Sequence, residues 1–129
     1  MRINEQKWRN THRWVISTDE ASIQLEIYPE PRGDDRIKAY IWALWVEPTA
    51  REKGTATALL RKAEEIAKAQ GEPFVWLEWE DADSDRFVLE WYQRNGYEEV
   101  AFGQHNSLLR KALTQERKSN ETSDTAASK

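Results

Sequence analysis

With 129 residues, 39% of them hydrophobic and 33% charged, the chain suits one domain built on one core, and no apolar run approaches the length that crosses a membrane. The net charge of −4 argues against a nucleic-acid partner, whose binding draws on clustered Lys and Arg, and fits a cationic partner better. The absence of cysteine excludes disulfides, thiolate metal sites and a cysteine nucleophile; His12 and His105 lack ligand-like spacing, so no metal is expected.

Residues 1–11 are mostly polar without a clear period and read as an arm or a short helix. They have no apolar core segment of the kind a signal peptide needs, and a cytoplasmic location is expected. Residues 14–18 read as a brief strand, and Ile23, Leu25 and Ile27 alternate with Gln24, Glu26 and Tyr28 in a second, which should stop at Pro29. Two prolines, a glycine and paired aspartates mark residues 29–35 as a loop. Residues 37–46 form the strongest strand, apolar on both parities from Tyr40 to Val46; such a strand belongs in mid-sheet with both faces covered. Seven tryptophans are many for this length, and most are expected in the core.

Pro48 ends that strand, and Arg51-Glu52-Lys53-Gly54-Thr55-Ala56 leads directly into a helix that runs to about Gln70. Leu59, Ala63 and Ile66 define its apolar side, with Arg61, Lys62, Glu64, Glu65 and Lys68 on the solvent side, and Gly71 is suited to end it. The first amides of a helix lack intrahelical partners and carry the positive end of its dipole. Small residues at positions 54 and 56 would let anionic oxygens approach that backbone, and Arg51 and Lys53 add positive charge. Taken alone, the same pattern also describes an ordinary strand-to-helix turn that binds nothing. Residues 74–80 read as a strand, and a strand, a helix and a strand with short connections imply a right-handed crossover and parallel pairing. Asp83 and Ser84 are natural caps for a second helix over about 85–94, with Phe87, Val88, Trp91 and Tyr92 on its apolar side. Residues 97–101 and 107–113 read as a closing pair of strands. The domain would then span 1–113, and 114–129, without a large apolar residue, would be a disordered polar tail.

Arg51-x-x-Gly54-x-Ala56, preceded by Val46-x-Pro48, resembles the acetyl-coenzyme A pyrophosphate motif of the GNAT acetyltransferase superfamily. Trp91-Tyr92-Gln93-Arg94-Asn95-Gly96-Tyr97 is similar to a segment near the end of GNAT domains, and residues 107–113 look like the closing strand of that family. These matches fall in one order over residues 37–113. The resemblance implies an α/β fold: a mixed, mostly antiparallel sheet with a central parallel strand pair and two main helices. The strands at 37–46 and 74–80 would splay, with acetyl-CoA, the acetyl donor, in the gap. The backbone of Leu44, Trp45 and Val46 would pair with the pantetheine arm, and the amides of Arg51, Glu52, Lys53, Gly54, Thr55 and Ala56 would hold the pyrophosphate. Asp85 stands where the family often has an asparagine that contacts the arm, and Tyr92 would lie near the thioester sulfur.

The reaction so implied is direct transfer of acetyl to a primary amine, of a small molecule or of a protein lysine or N-terminus, with Tyr92 protonating the departing thiolate. Tyr92 is otherwise a core residue. An amine with a pKa near 10.4 is neutral in only about one molecule in 2,500 at pH 7, a deficit of about 4.6 kcal/mol, so a proton acceptor is needed. Glu78 and Glu80 are the candidate catalytic bases; Glu47, in the turn, is a weaker one. Their alternative role is an exposed strand face. Most GNAT members begin with a strand and two helices that cover the acceptor site, and the sequence before Ile37 is too short for all of these and reads mainly as strands. The acceptor side is then open, or the second subunit of a homodimer covers it through Trp8, Trp14, Trp42 or Trp76. Two rival readings are a GNAT-fold module that binds CoA or a protein partner without turnover, and a small structural αβ protein whose turn is coincidental.

Overall fold

Among the described residues seven strands are formed: β1 (Arg2–Lys7), β2 (His12–Ser17), β3 (Ala21–Arg32), β4 (Ile37–Val46), β5 (Phe74–Glu80), β6 (Glu98–Phe102) and β7 (Asn106–Ala112). Two helices, α1 (Thr55–Ala69) and α2 (Arg86–Arg94), and a 3-10 turn at Pro48–Ala50 complete the elements. The computed structural model describes residues 1–113; the tail expected at 114–129 lies outside them. The strands join one sheet in the order β1-β2-β3-β4-β5-β7-β6, antiparallel throughout except for β4 and β5. The mixed sheet with its central parallel pair and two helices is the α/β architecture expected from the sequence.

Local chemistry accounts for the element ends. Gly71, at φ 88°, closes α1: its N–H donates to Lys68 O at 2.9 Å and the Glu72 N–H to Ala67 O at 3.1 Å, which satisfies two carbonyls the last turn would leave open. α2 starts one residue later than the spacing suggests, with Asp85 at its N-cap. The opening segment is β1, not an arm or a helix. It pairs with β2 along its whole length at the sheet edge, exposed on both faces, so no burial imposes an alternation that a sequence reading could detect. β3 does not stop at Pro29 but continues to Arg32. Beyond its last β2 partner, at His12↔Ile27, one edge of β3 has no strand neighbour among the described residues, and prolines there remove no ladder bond.

Both helices pack on one face of the sheet. Trp14, Ile16, Leu25, Ile41, Leu77 and Leu109 meet Leu59, Leu60 and Ala63 of α1 and Leu89 and Tyr92 of α2 in one core. Inside this layer lies Glu64, placed on the solvent side by helical spacing but only 7% exposed. It accepts hydrogen bonds from the Tyr97 hydroxyl at 2.7 Å, Lys111 Nζ at 3.0 Å and Arg61 Nη1 at 2.8 Å. The ring of donors supplies the pairing that a buried carboxylate requires and ties α1 to β7 and to the turn after α2.

No described helix lies on the other face. A row in register crosses it: Arg13, Glu26, Tyr40, Trp76, Arg110 and Glu98. Guanidinium groups lie over rings along this face, Arg13 between Trp8 and Trp42 at 4.9 and 5.8 Å, and Arg110 over Phe74 at 4.4 Å. Such stacking seals an uncovered sheet with groups that tolerate water at one end. Three of the seven tryptophans, Trp8, Trp42 and Trp45, stay 40–51% exposed, so the expectation of a mostly buried set is only partly met. Trp14 and Trp76 are buried within the chain and are not available to an interface, contrary to the expectation for them. Among the described residues no helix is long and apolar enough to cross a membrane.

Candidate active site

The centre of the sheet is interrupted in β4. Ser22 pairs with Trp45 and Gln24 with Trp42, so β4 spends two residues, Ala43 and Leu44, opposite the single residue Ile23. Ala43 takes φ 57°, a left-handed conformation that costs an L-residue about 1–2 kcal/mol. This bulge bends the strand. β4 and β5 are in register at one pair, Tyr40↔Trp76, and beyond it the parallel ladder stops. The β3 edge of β4 stays paired as far as Val46, while among the described residues the backbone of Leu44, Trp45 and Val46 has no paired strand on its β5 side. Trp42 and Trp45 project from this stretch into solvent, so β4 is central but is not covered on both faces as its composition suggests.

The free edge runs into the turn before α1. The Arg51 Nε donates to Val46 O at 3.3 Å, and Lys53 Nζ lies 3.9 Å from Glu20 Oε2. Glu52 has φ 68° and Gly54 φ 83°. The first bond of the helix is from Ala58 N to Gly54 O, at 3.0 Å, which leaves the amides of Thr55, Ala56 and Thr57 without intrahelical acceptors. The first turn has no acidic residue and no side-chain cap, and a Cβ on Gly54 would meet nothing within 4 Å. Unpaired amides, an aligned dipole and open space are the features that suit an anion, and this turn is the candidate anion seat.

On the opposite wall, Glu78 of β5 shares the helix-free face with Tyr40, whose hydroxyl donates to Glu78 Oε1 at 2.7 Å. Burial, this hydrogen bond and the charge of Glu78 push the Tyr40 phenol well above its ordinary range. Glu80 is exposed at the strand end, and its carbonyl accepts the N–H groups of Asp83 and Ser84 at 3.0 and 3.1 Å. Glu47 is tied into the turn by the Thr49 hydroxyl at 2.6 Å.

Tyr92 lies on the helix-bearing face, its ring centroid 5.2 Å from Trp91 and 6.0 Å from Tyr97. Burial pushes its phenol up to about 12. Tyr92 is 9% exposed, and its hydroxyl makes no hydrogen bond among the described residues. Asp85 is exposed at the start of α2; its carbonyl accepts Trp79 Nε1 at 3.2 Å, and its carboxylate makes no cap bond. The sheet therefore separates the phenol of Tyr92 from the carboxylates of Glu78 and Glu80, on opposite faces beside the stretch where β4 and β5 part. The sequence carried no signal for the bulge, because alanine is not a residue that favours positive φ, and none for the Tyr40–Glu78 contact, which depends on the register of two strands.

Residues 2–97 match the family model described as Acetyltransferase (GNAT) family, which takes in the three strands before β4 as well as the bulge, the anion seat and α2. An uncharacterised N-acetyltransferase of Methanocaldococcus jannaschii is 30% identical over an aligned stretch that covers 74% of this chain. The chain spans 47% of the length of that relative. An acetyltransferase of Bacillus cereus has a TM-score of 0.61 at 20% identity, over 86% of this chain and 74% of its own. The PaiA N-acetyltransferase of Thermoplasma acidophilum, solved in complex with coenzyme A, has a TM-score of 0.62 at 20% identity, over 80% of this chain and 61% of its own. At those identities the solved structures speak for the fold. With the family match running through the splayed strands and the turn that follows them, the chain belongs to the GNAT acetyltransferase family.

Proposed function

We propose that the chain is an N-acetyltransferase that moves acetyl from acetyl-CoA directly to a primary amine. The observation that carries this reading is the bulged β4, whose free backbone edge at Leu44–Trp45–Val46 leads into unpaired amides at Gly54, Thr55 and Ala56. A ligand with amide groups along a flexible arm and a pyrophosphate at its end has both kinds of partner there. Arg51 and Lys53 would add charge at the mouth, with Glu52 between them, and Asp85, at the N-cap of α2, would contact the arm. Acetyl-CoA would supply an activated acetyl thioester.

Two proton movements fall to the chain. As the amine nitrogen bonds to the acetyl carbon, its proton passes to a β5 carboxylate, Glu78 or Glu80, which reduces the deficit of about 4.6 kcal/mol for a lysine-like amine at pH 7. The phenol of Tyr92, raised to about 12 by burial, is protonated at neutral pH. Full transfer to a thiolate of ordinary pKa near 8.5 would be uphill by about 5 kcal/mol. Tyr92 therefore acts as a hydrogen-bond donor to the departing sulfur, and solvent completes its protonation. The uncovered sheet face supports an acceptor side open to a small amine or to an amine on a protein.

The test follows release of the CoA thiol from acetyl-CoA with spermidine, lysine amide and an alanine-initiated tetrapeptide as acceptors, beside calorimetric titration with CoA. Saturable, protein-dependent acetylation of any one acceptor supports the enzyme. CoA binding without thiol release would favour a binding module, and no binding by folded protein would remove the site.

A further inference from the structure

Two carboxylates on β5 compete for the proton of the acceptor, and their surroundings differ. Tyr40 and Trp76 are the last in-register pair before β4 and β5 separate, and Glu78 is the next residue of β5 on that face. Its Oε1 accepts the Tyr40 hydroxyl at 2.7 Å across the root of the opening. No cation among the described residues pairs with Glu78, which leaves its other oxygen free, whereas Glu26, the cross-strand neighbour of Tyr40, is already held by Arg13 at 2.5 Å and by the Tyr28 hydroxyl at 3.1 Å. Glu80 lies one pleat further out, exposed, with no side-chain partner among the described residues. A glutamate in that state must lose rotamer freedom of up to about 1.5–2 kcal/mol before it can act, a cost that Glu78 has already met.

We infer that Tyr40 is a positioning residue: it fixes the Glu78 carboxylate at the root of the β4–β5 opening and so makes Glu78, rather than Glu80, the group that takes the proton of the acceptor. The inference rests on the acetyltransferase reading above. Because the Tyr40 phenol is kept protonated, it donates to Glu78 throughout the neutral range. Its loss is expected to act on the proton-transfer step rather than on CoA binding.

The test is a double-mutant cycle with Tyr40→Phe, Glu78→Gln and the double variant, assayed with acetyl-CoA and the fastest of the three acceptors named above, beside Glu80→Gln and calorimetric CoA binding. Tyr40→Phe is expected to lower kcat about tenfold and Glu78→Gln about 100-fold or more. The double variant should be no slower than Glu78→Gln alone, and the CoA Kd should stay within about twofold throughout. A merely structural role for Tyr40 would make the two losses multiply. Multiplying losses, an undiminished kcat in Tyr40→Phe, or a greater loss from Glu80→Gln than from Glu78→Gln would each overturn the inference. A wild-type protein that acetylates none of the acceptors would instead overturn the enzyme reading, and the inference with it.

Discussion

Substitution of Gly54 separates the anion seat from the fold that carries it. Gly54 begins α1 at φ 83° and ψ 0°, and an added Cβ would meet no atom within 4 Å, so a side chain costs only backbone strain, about 1–2 kcal/mol. In Gly54→Asp part of that cost is offset, because a carboxylate at a helix N-terminus gains about 0.3–1 kcal/mol from the dipole. The Asp variant should therefore unfold within about 2 kcal/mol of the wild type. CoA binding should respond differently. A carboxylate about 5 Å from a phosphate charge, at an effective dielectric constant of about 20, repels it by about 3 kcal/mol, or about 100-fold in Kd. Gly54→Ala adds the Cβ and its backbone strain without charge and should change Kd by no more than about threefold. Calorimetric titration with CoA at low salt, paired with urea denaturation of all three proteins, reads both quantities, and the gap between Asp and Ala should narrow as salt is raised. A folded Gly54→Asp protein that binds CoA within about threefold of the wild type would refute phosphate binding at this turn.

The Tyr92 phenol is raised to about 12 in the folded chain from about 10 when unfolded. Its contribution, up to about 2.7 kcal/mol, is present below about pH 10 and is lost as pH rises towards 12. Urea denaturation between about pH 8 and 11 should show the decline, and Tyr92→Phe should reduce its slope; an unchanged slope would remove the burial argument. Glu64→Leu strands the Tyr97 hydroxyl and Lys111 Nζ, which now donate to it at 2.7 and 3.0 Å, and should lower stability by about 3 kcal/mol. A loss under about 1 kcal/mol in the same denaturation would show that these donors find water instead. At the bulge, Ala43→Gly relieves the strain of φ 57° but adds unfolded-state entropy, for a net change of about 0–1 kcal/mol in favour of the fold. Ala43→Val should destabilise by about 2 kcal/mol, because a β-branched residue tolerates that φ poorly, and equal stabilities of the two variants would contradict the bulge.

The strands at 37–46 and 74–80, the helix between them and its closure at Gly71 were legible because their causes are local. Side-chain period, the missing N–H of Pro48 and the left-handed preference of glycine act within a few residues. The same holds for the anion seat, since a strand end, a glycine at position 54 and a helix start are adjacent in the chain. Sequence alone thus determined the crossover, its parallel pairing and the turn proposed as the anion seat. It misread β1, where an edge strand exposed on both faces has no pattern to show, and Glu64, where helical spacing assigned to solvent a residue that other elements enclose.

Only the tertiary structure decided which groups meet. Glu64 is buried by partners 33 and 47 residues away, and Tyr40 reaches Glu78 across 38. The Ala43 bulge is set by how β4 must pair with β3 on one edge while it leaves β5 on the other. Each of these depends on strand register, and a shift of one residue would turn every side chain of a strand to the opposite face. Composition and local spacing can therefore nominate the carboxylates of β5, but the choice between them is made where two strands from distant parts of the chain come together and then part.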